Sequence, residues 1–188
     1  TDSFFCGPFI DTITITQPAH FYLEVSNIEN NKCYEGSEGE ITVTAFGGTA
    51  PYVNYFISDS LNGVITGNSA VYSNLMASDY ALWAVDENAC NSDTLLGVKL
   101  GEPGKIIAQT NVHDLSCYQS DDGVIDLTIF SGTSPYQYQL MDGSTVLDQG
   151  NAMQTILLSI YDLYASDLIL HISDYHACEI DTQISINQ

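Results

Sequence analysis

The sequence repeats itself, and a repeat of this length dictates a modular fold. The twenty residues from Cys33 to Tyr52, CYEGSEGEITVTAFGGTAPY, return from Cys117 to Tyr136 as CYQSDDGVIDLTIFSGTSPY, 84 positions on and with ten of the twenty identical. A second block, NLMASDYALWAVDENAC ending at Cys90, returns as DLYASDLILHISDYHAC ending at Cys178, 88 positions on. The second copy therefore carries four extra residues between the blocks. A fixed period with a length change confined to one segment marks duplicated structural units whose loops differ. The start of the chain fits the same scheme, because Phe4 to Pro18 aligns, with small gaps, to Asn88 to Pro103. Residues 1–19 thus read as the C-terminal strand region of a preceding repeat, followed by whole units at 20–103 and 104–188, each the size of a small domain. A lone final strand has no means of folding by itself.

The hydrophobic period is that of strands. EITVTAF (40–46) and VIDLTIF (124–130) alternate in places with period two and are rich in Ile, Val, Thr and Phe, as half-buried strands are. Each runs into a glycine turn, Gly47-Gly48 or Ser131-Gly132, and Pro51 or Pro135 then opens an extended segment at Tyr52 or Tyr136. Further strands are expected in the first unit at 22–26, 52–58, 64–66, 70–73, 79–86 and 93–99, with no sustained helical stripe anywhere. About seven short strands per unit, with turn signals at close intervals, predict an immunoglobulin-like β-sandwich.

Charge excludes several partners. The chain has 24 acidic residues against three lysines, Lys32, Lys99 and Lys105, and no arginine, for a formal net charge of −21. Nucleic-acid affinity comes from neutralising phosphates with Lys and Arg, and a polybasic membrane surface needs the same residues. The acidity is read as solubility and mutual repulsion. No apolar run approaches the ~20 residues of a membrane-spanning helix, so direct membrane insertion is not expected. A signal peptide, if the protein is exported, lies outside this chain.

A cysteine, a glycine before a strand, a GGTxPY turn, an N-L-x-A-x-x-Y strand and a closing D-x-N-x-C together resemble the SprB-type repeat of large surface adhesins in gliding Bacteroidota. The resemblance covers nearly the whole chain. It implies tandem Ig-like modules, export by the type IX secretion route, an extracellular place on the cell surface, and a rigid stalk for adhesion and gliding motility, with no enzymatic centre. The implied partners are neighbouring repeats of the same chain and an unidentified cell-surface or polysaccharide target. Ser78 and Ser166 stand where the family has a glycine, and Leu168 replaces the tyrosine found at Tyr80. Two alternatives come from other classes: the spacer module of a secreted enzyme, and a filament subunit whose N-terminal strand completes a neighbour.

The cysteines are the chemically distinctive groups. Cys6, Cys90 and Cys178 share one repeat position, and Cys33 and Cys117 share the other. In an exported protein these read as disulfides; no C-x-x-C spacing or recurrent histidine suggests a metal. Two pairings stand. Intra-repeat bonds, Cys33 to Cys90 and Cys117 to Cys178, are the obvious choice. Yet a sandwich puts the turn before its second strand and the turn after its sixth at opposite poles, roughly 20 Å apart, whereas a disulfide allows ~4.4 to 6.8 Å between Cα atoms. Stacking units head to tail instead brings Cys33 beside Cys178, and this cross-repeat bond is slightly preferred. Cys6 is expected to be unpaired on either scheme.

Other candidates have plainer readings beside them. Asp86, Glu87 and Asn88 gather oxygen donors in one turn, a calcium-like set with Asp86 and Asn88 as ligands, but the second copy reads Asp174, Tyr175, His176. An Asx-type turn is the default there, and no cofactor is expected otherwise. Asp114, Asp121 and Asp122 flank Cys117 and read as a solvated acidic loop. His20, His113, His171 and His176 do not recur and read as surface or strand residues, and Trp83 is assigned to core packing. Thr12, Ser60 and Thr94 sit in D-[S/T]-hydrophobic contexts resembling the Bacteroidota O-glycosylation acceptor. No Ser, His and acid form a recognisable triad pattern.

Overall fold

A computed structural model of the chain describes residues 11–58, 63–153 and 157–188. The first unit contains β1 (Tyr22–Glu29), β2 (Gly39–Phe46), β3 (Tyr52–Ile57), β4 (Val64–Thr66), β5 (Ser69–Leu75), β6 (Ser78–Asp86) and β7 (Leu95–Leu100). The second contains β8 (Ile107–His113), β9 (Gly123–Phe130), β10 (Tyr136–Asp142), β11 (Thr145–Ala152), β12 (Leu157–Leu163), β13 (Ser166–Ser173) and β14 (Glu179–Ile186). Period-two patterning does what it should: Ile41, Val43 and Ala45 of β2, and Ile125, Leu127 and Ile129 of β9, all point inward and are buried. Each unit has its own core, one drawn from Phe21 to Leu100 and the other from Ile106 to Ile186.

The first unit pairs its strands in the orders β1-β2-β5-β4 and β3-β6-β7, every pair antiparallel. Lettered A to G along the chain, these are the sheets ABED and CFG of an immunoglobulin constant-type sandwich. The fold is Ig-like. In the second unit the fourth strand changes sheets, giving β12-β9-β8 and β11-β10-β13-β14. The cause is where a two-residue turn falls. Thr66 pairs with Ser69 around Gly67, so the first unit's hairpin joins its fourth strand to its fifth. Asp142 pairs with Thr145 around Gly143, so the second unit's hairpin joins its fourth strand to its third. Both glycines have positive φ, +62° and +56°, as the first position of a II′-type turn requires.

Residues 11–21 lie in no strand. Cys6 and Ser60 lie outside the described residues. Trp83 corrects its core assignment: it lies on the outer face of the β3-β6-β7 sheet, half-buried and stacked on Phe56 with ring centroids 5.2 Å apart. The alternation of β6 explains this, because the neighbours of Trp83, Leu82 and Ala84, take the inward positions. Tyr80 donates its hydroxyl to the Met76 carbonyl at 2.8 Å, closing the corner between β5 and β6. The second unit fills the equivalent place with buried Leu168 and forgoes that bond.

Candidate functional site

The two units meet at their cysteine-bearing turns. The A–B turn of each unit, between its first and second strands, is built on a carboxylate. In the first unit the backbone N–H groups of Lys32 and Cys33 donate to Glu38 Oε1 at 2.5 and 3.1 Å. The Lys32 bond is the main reason the Glu38 carboxyl titrates below its usual range. Asp122 plays this part in the second unit, accepting from the Ser116 N–H at 3.1 Å and from the Ser120 hydroxyl. Bonds from Ser116 and Ser120 lower its pKa to about 2. Both turns close with a bond to the cysteine carbonyl, from the Gly36 N–H or the Ser120 N–H. They also tie back to the chain leaving the last strand, by Asn31 N–H to Gly101 O and Leu115 N–H to Asn187 O, both 3.0 Å. Asn30 Oδ1 accepts from the Gly101 N–H, and Asp114 Oδ1 from the Asn187 N–H, each at 2.8 Å. Asp114 and Asp122 are exposed, as their reading as a solvated acidic loop has them, and both also accept bonds that shape the turn. Only the folded backbone brings these N–H groups to them.

The opposite pole follows the same logic. Asp86 is buried, and its carboxylate accepts N–H bonds from Thr49 at 2.9 Å, Asn88 at 3.0 Å and Cys90 at 2.9 Å. Loss of water pushes its pKa up, and those three donors together outweigh it, leaving the group below the usual carboxylate range. Asp174 accepts the matching bonds from Thr133, His176 and Cys178 at 2.9, 2.8 and 3.0 Å. This cradle presents donors, and a donor cradle is the wrong environment for a calcium ion. Asn88 turns its amide to Thr49 Oγ1 at 3.0 Å. The carboxylates thus pin the F–G turn, between the sixth and seventh strands, to the B–C turn, between the second and third. The Tyr52 and Tyr136 hydroxyls brace that B–C turn by donating to the Gly47 and Ser131 carbonyls. The incoming chain is fixed to it as well, by Gly48 N–H to Ala19 O and Gly132 N–H to Gly104 O, both 2.9 Å.

Cys33, on the A–B turn of the first unit, is joined to Cys178, on the F–G turn of the second, with 5.6 Å between the Cα atoms and 145 residues between them in sequence. The Cys178 sulfur also lies 3.4 Å from the Lys32 carbonyl. Around the bond is a groove lined by Tyr34, Glu35, Pro103, Lys105 and Ile106. The Glu35 N–H donates to Glu102 of the linker at 2.6 Å. Lys32 and Lys105, two of only three lysines in the chain, stand at this junction, where they dilute the repulsion between two acidic modules. Cys90 and Cys117 carry free, exposed thiols at the two outer poles. The intra-repeat partners are thus not brought together.

Sequence comparison identifies part of each unit. Residues 25–61 and 109–145 match the SprB repeat, one stretch in each unit and each spanning the first cysteine and the GGTxPY-type turn. The chain carries two SprB-type repeats. No curated protein matches the chain. Among solved structures it is loosely similar to a C-terminal fragment of intimin in complex with the intimin-binding domain of its translocated receptor, at 7% identity and a TM-score of 0.40, covering 88% of this chain and 64% of the fragment. It is similar to the two Ig domains of DIP-gamma at 12% identity and a TM-score of 0.38, covering 88% and 96%. The ligand-binding domain of human OSCAR gives 9% and 0.36, covering 91% and 100%. Likenesses this distant add nothing to the fold, which rests on the strand order of the SprB units themselves.

The remaining candidates are dispersed over the surface of the SprB units. Thr12 and Thr94 are exposed, Thr94 directly before β7. His20, His113 and His171 each contact an acid: Asp93 at 3.0 Å, Asp126 at 3.1 Å and Asp181 at 2.7 Å. Among the described residues no group of three or more His, Cys, Asp or Glu side chains converges on a point suited to a metal ion.

Proposed function

We propose that the chain is a stretch of rigid stalk from a large exported cell-surface adhesin, serving adhesion and gliding motility without catalysis of its own. The observation that carries this reading is the disulfide between modules. A bond of this kind persists in an oxidising, extracellular setting. Modules joined by a short linker alone usually move against each other, and a second covalent connection at the junction removes that freedom. Among the described residues, the Cys33–Cys178 loop encloses every strand from β2 to β13 and leaves β1 and β14 outside. Tension applied along the chain passes through β1, across the bond and out through β14. The strands between the two cysteines are bypassed, which suits a fibre pulled between a moving cell and its substratum. The strongly negative surface keeps neighbouring fibres apart.

Antibodies raised against the chain test this placement. They are expected to label intact cells of the source organism, and removal of the segment from its parent protein should weaken attachment or gliding while leaving enzyme secretion unchanged. Labelling that appears only after permeabilisation would overturn the proposal.

A further inference from the structure

The bond at the junction uses one pole from each unit, and the two unused poles are copies of those it uses. We propose that Cys117 and Cys90 form, with the repeats that adjoin this pair in the stalk, the same disulfide that Cys33 forms with Cys178, so that modules join head to tail through a repeating ladder of staples; a second copy of the chain presents the same poles and stands in for those repeats. The proposal rests on the stalk reading and extends it.

The outer pole of the second unit reproduces the docking pole of the first. Asp122 stands for Glu38, Asp114 for Asn30, and the exit of the chain at Asn187 for that at Gly101, with the same backbone bonds. The residue at the third turn position takes positive φ in both, +55° at Glu35 and +59° at Gln119. The aromatic that follows the cysteine separates the occupied pole from the open one. Tyr34, in the junction groove, is 43% exposed, whereas Tyr118 at the open pole is 78% exposed. At the other end Cys90 is held by Asp86 as Cys178 is held by Asp174, and Ala89 and Ala177 share a φ of +60°. Both free thiols are therefore already presented as their bonded counterparts are. A contact between two different poles of one module does not close on itself, so it propagates as a line. Because Cys117 precedes Cys178 in sequence, successive loops of such a ladder overlap, and no module inside it lies outside a closed loop.

The chemistry is a two-electron oxidation: each thiol loses a proton and an electron, an S–S bond forms, and a small-molecule disulfide such as oxidised glutathione is reduced to two thiols. The test uses the full chain with Cys6→Ser, so that only Cys90 and Cys117 are free, with added C90S or C117S. Each protein alone, and the two mixed, is exposed to oxidised glutathione at about 0.5 M salt to screen the charge between copies. The mixture should give a disulfide-linked dimer about tenfold faster than either variant alone, since docking raises the local thiol concentration only for unlike poles. The single C6S protein should give a ladder of multimers. Equal rates in all three samples, or a preference for like pairs, would overturn the proposal. Peptide mapping of the same samples separates the two readings: an intact Cys33–Cys178 bond without the ladder leaves the stapled stalk standing, and its absence removes both.

Discussion

Pulling the two ends of the oxidised chain apart should leave most of it folded. The bond joins positions 145 residues apart. At 3.3 to 3.6 Å per extended residue, the segment between them holds about 500 Å of contour length that tension cannot reach while the bond is intact. Only the stretches before Cys33 and after Cys178 remain free to extend, roughly 40 residues or about 150 Å. Closing so long a loop also restricts the unfolded chain by about 5 kcal/mol in the loop-entropy model, so the oxidised protein should be the more stable form as well. Single-molecule stretching between terminal handles measures this directly. The oxidised protein is expected to show no release beyond about 150 Å, whereas Cys33→Ser, or added reductant, should reveal two unfolding steps, one per core, that recover the hidden ~500 Å. Two full-length unfolding steps in oxidised protein would refute the reasoning, because they require the bond to be elsewhere or absent.

Four further outcomes are expected. Gly47 has a φ of +71°, and an added Cβ would fall 1.8 Å from the His20 carbonyl oxygen; Gly47→Ala should destabilise the first module by about 3 kcal/mol or more in a denaturant titration. Tyr80→Phe removes the corner bond to Met76 and should cost that module about 1 kcal/mol, measured the same way. Asp122 has its pKa lowered to about 2, so its contribution is fully present above the ordinary Asp value near 3.9 and fades as pH falls through about 2; Ser120→Ala should move its NMR titration midpoint upward. Tyr138 is raised to about 12, first by burial and then by its bond to Asp148. Its neutral form favours the fold below the ordinary Tyr value near 10, and that support is lost as pH rises through about 12; in ultraviolet titration Tyr138→Phe should remove one late-ionising phenol.

Much of the fold was legible in the sequence because it is written in short-range patterns. Strands announced by alternation, such as 40–46 and 124–130, correspond to β2 and β9 with one residue added at the start of each. That residue is a glycine in both, Gly39 and Gly123, where a Cβ would strike the Leu75 or the Leu163 carbonyl oxygen. The change of sheet by the fourth strand was also encoded, in the placement of Thr-Gly-Asn-Ser at 66–69 and Asp-Gly-Ser-Thr at 142–145, but reading it requires treating the two-residue turn as the decisive signal. Glu38, Asp122, Asp86 and Asp174 were harder. Their partners are backbone N–H groups, which carry no sequence signature, and their positions depend on how the turn folds. Trp83 reads as a core residue from its place in a strand, and the phase of β6 overrides that. The cysteine positions, by contrast, were informative through recurrence, and pole geometry favoured one pairing over another.

The central claim is the covalent junction between modules, and mass spectrometry of proteolysed, non-reduced protein isolated from its native source tests it most directly. The account predicts a linked peptide pair containing Cys33 and Cys178. Peptides linking Cys33 to Cys90 and Cys117 to Cys178, or all of these cysteines recovered as free thiols, would contradict it.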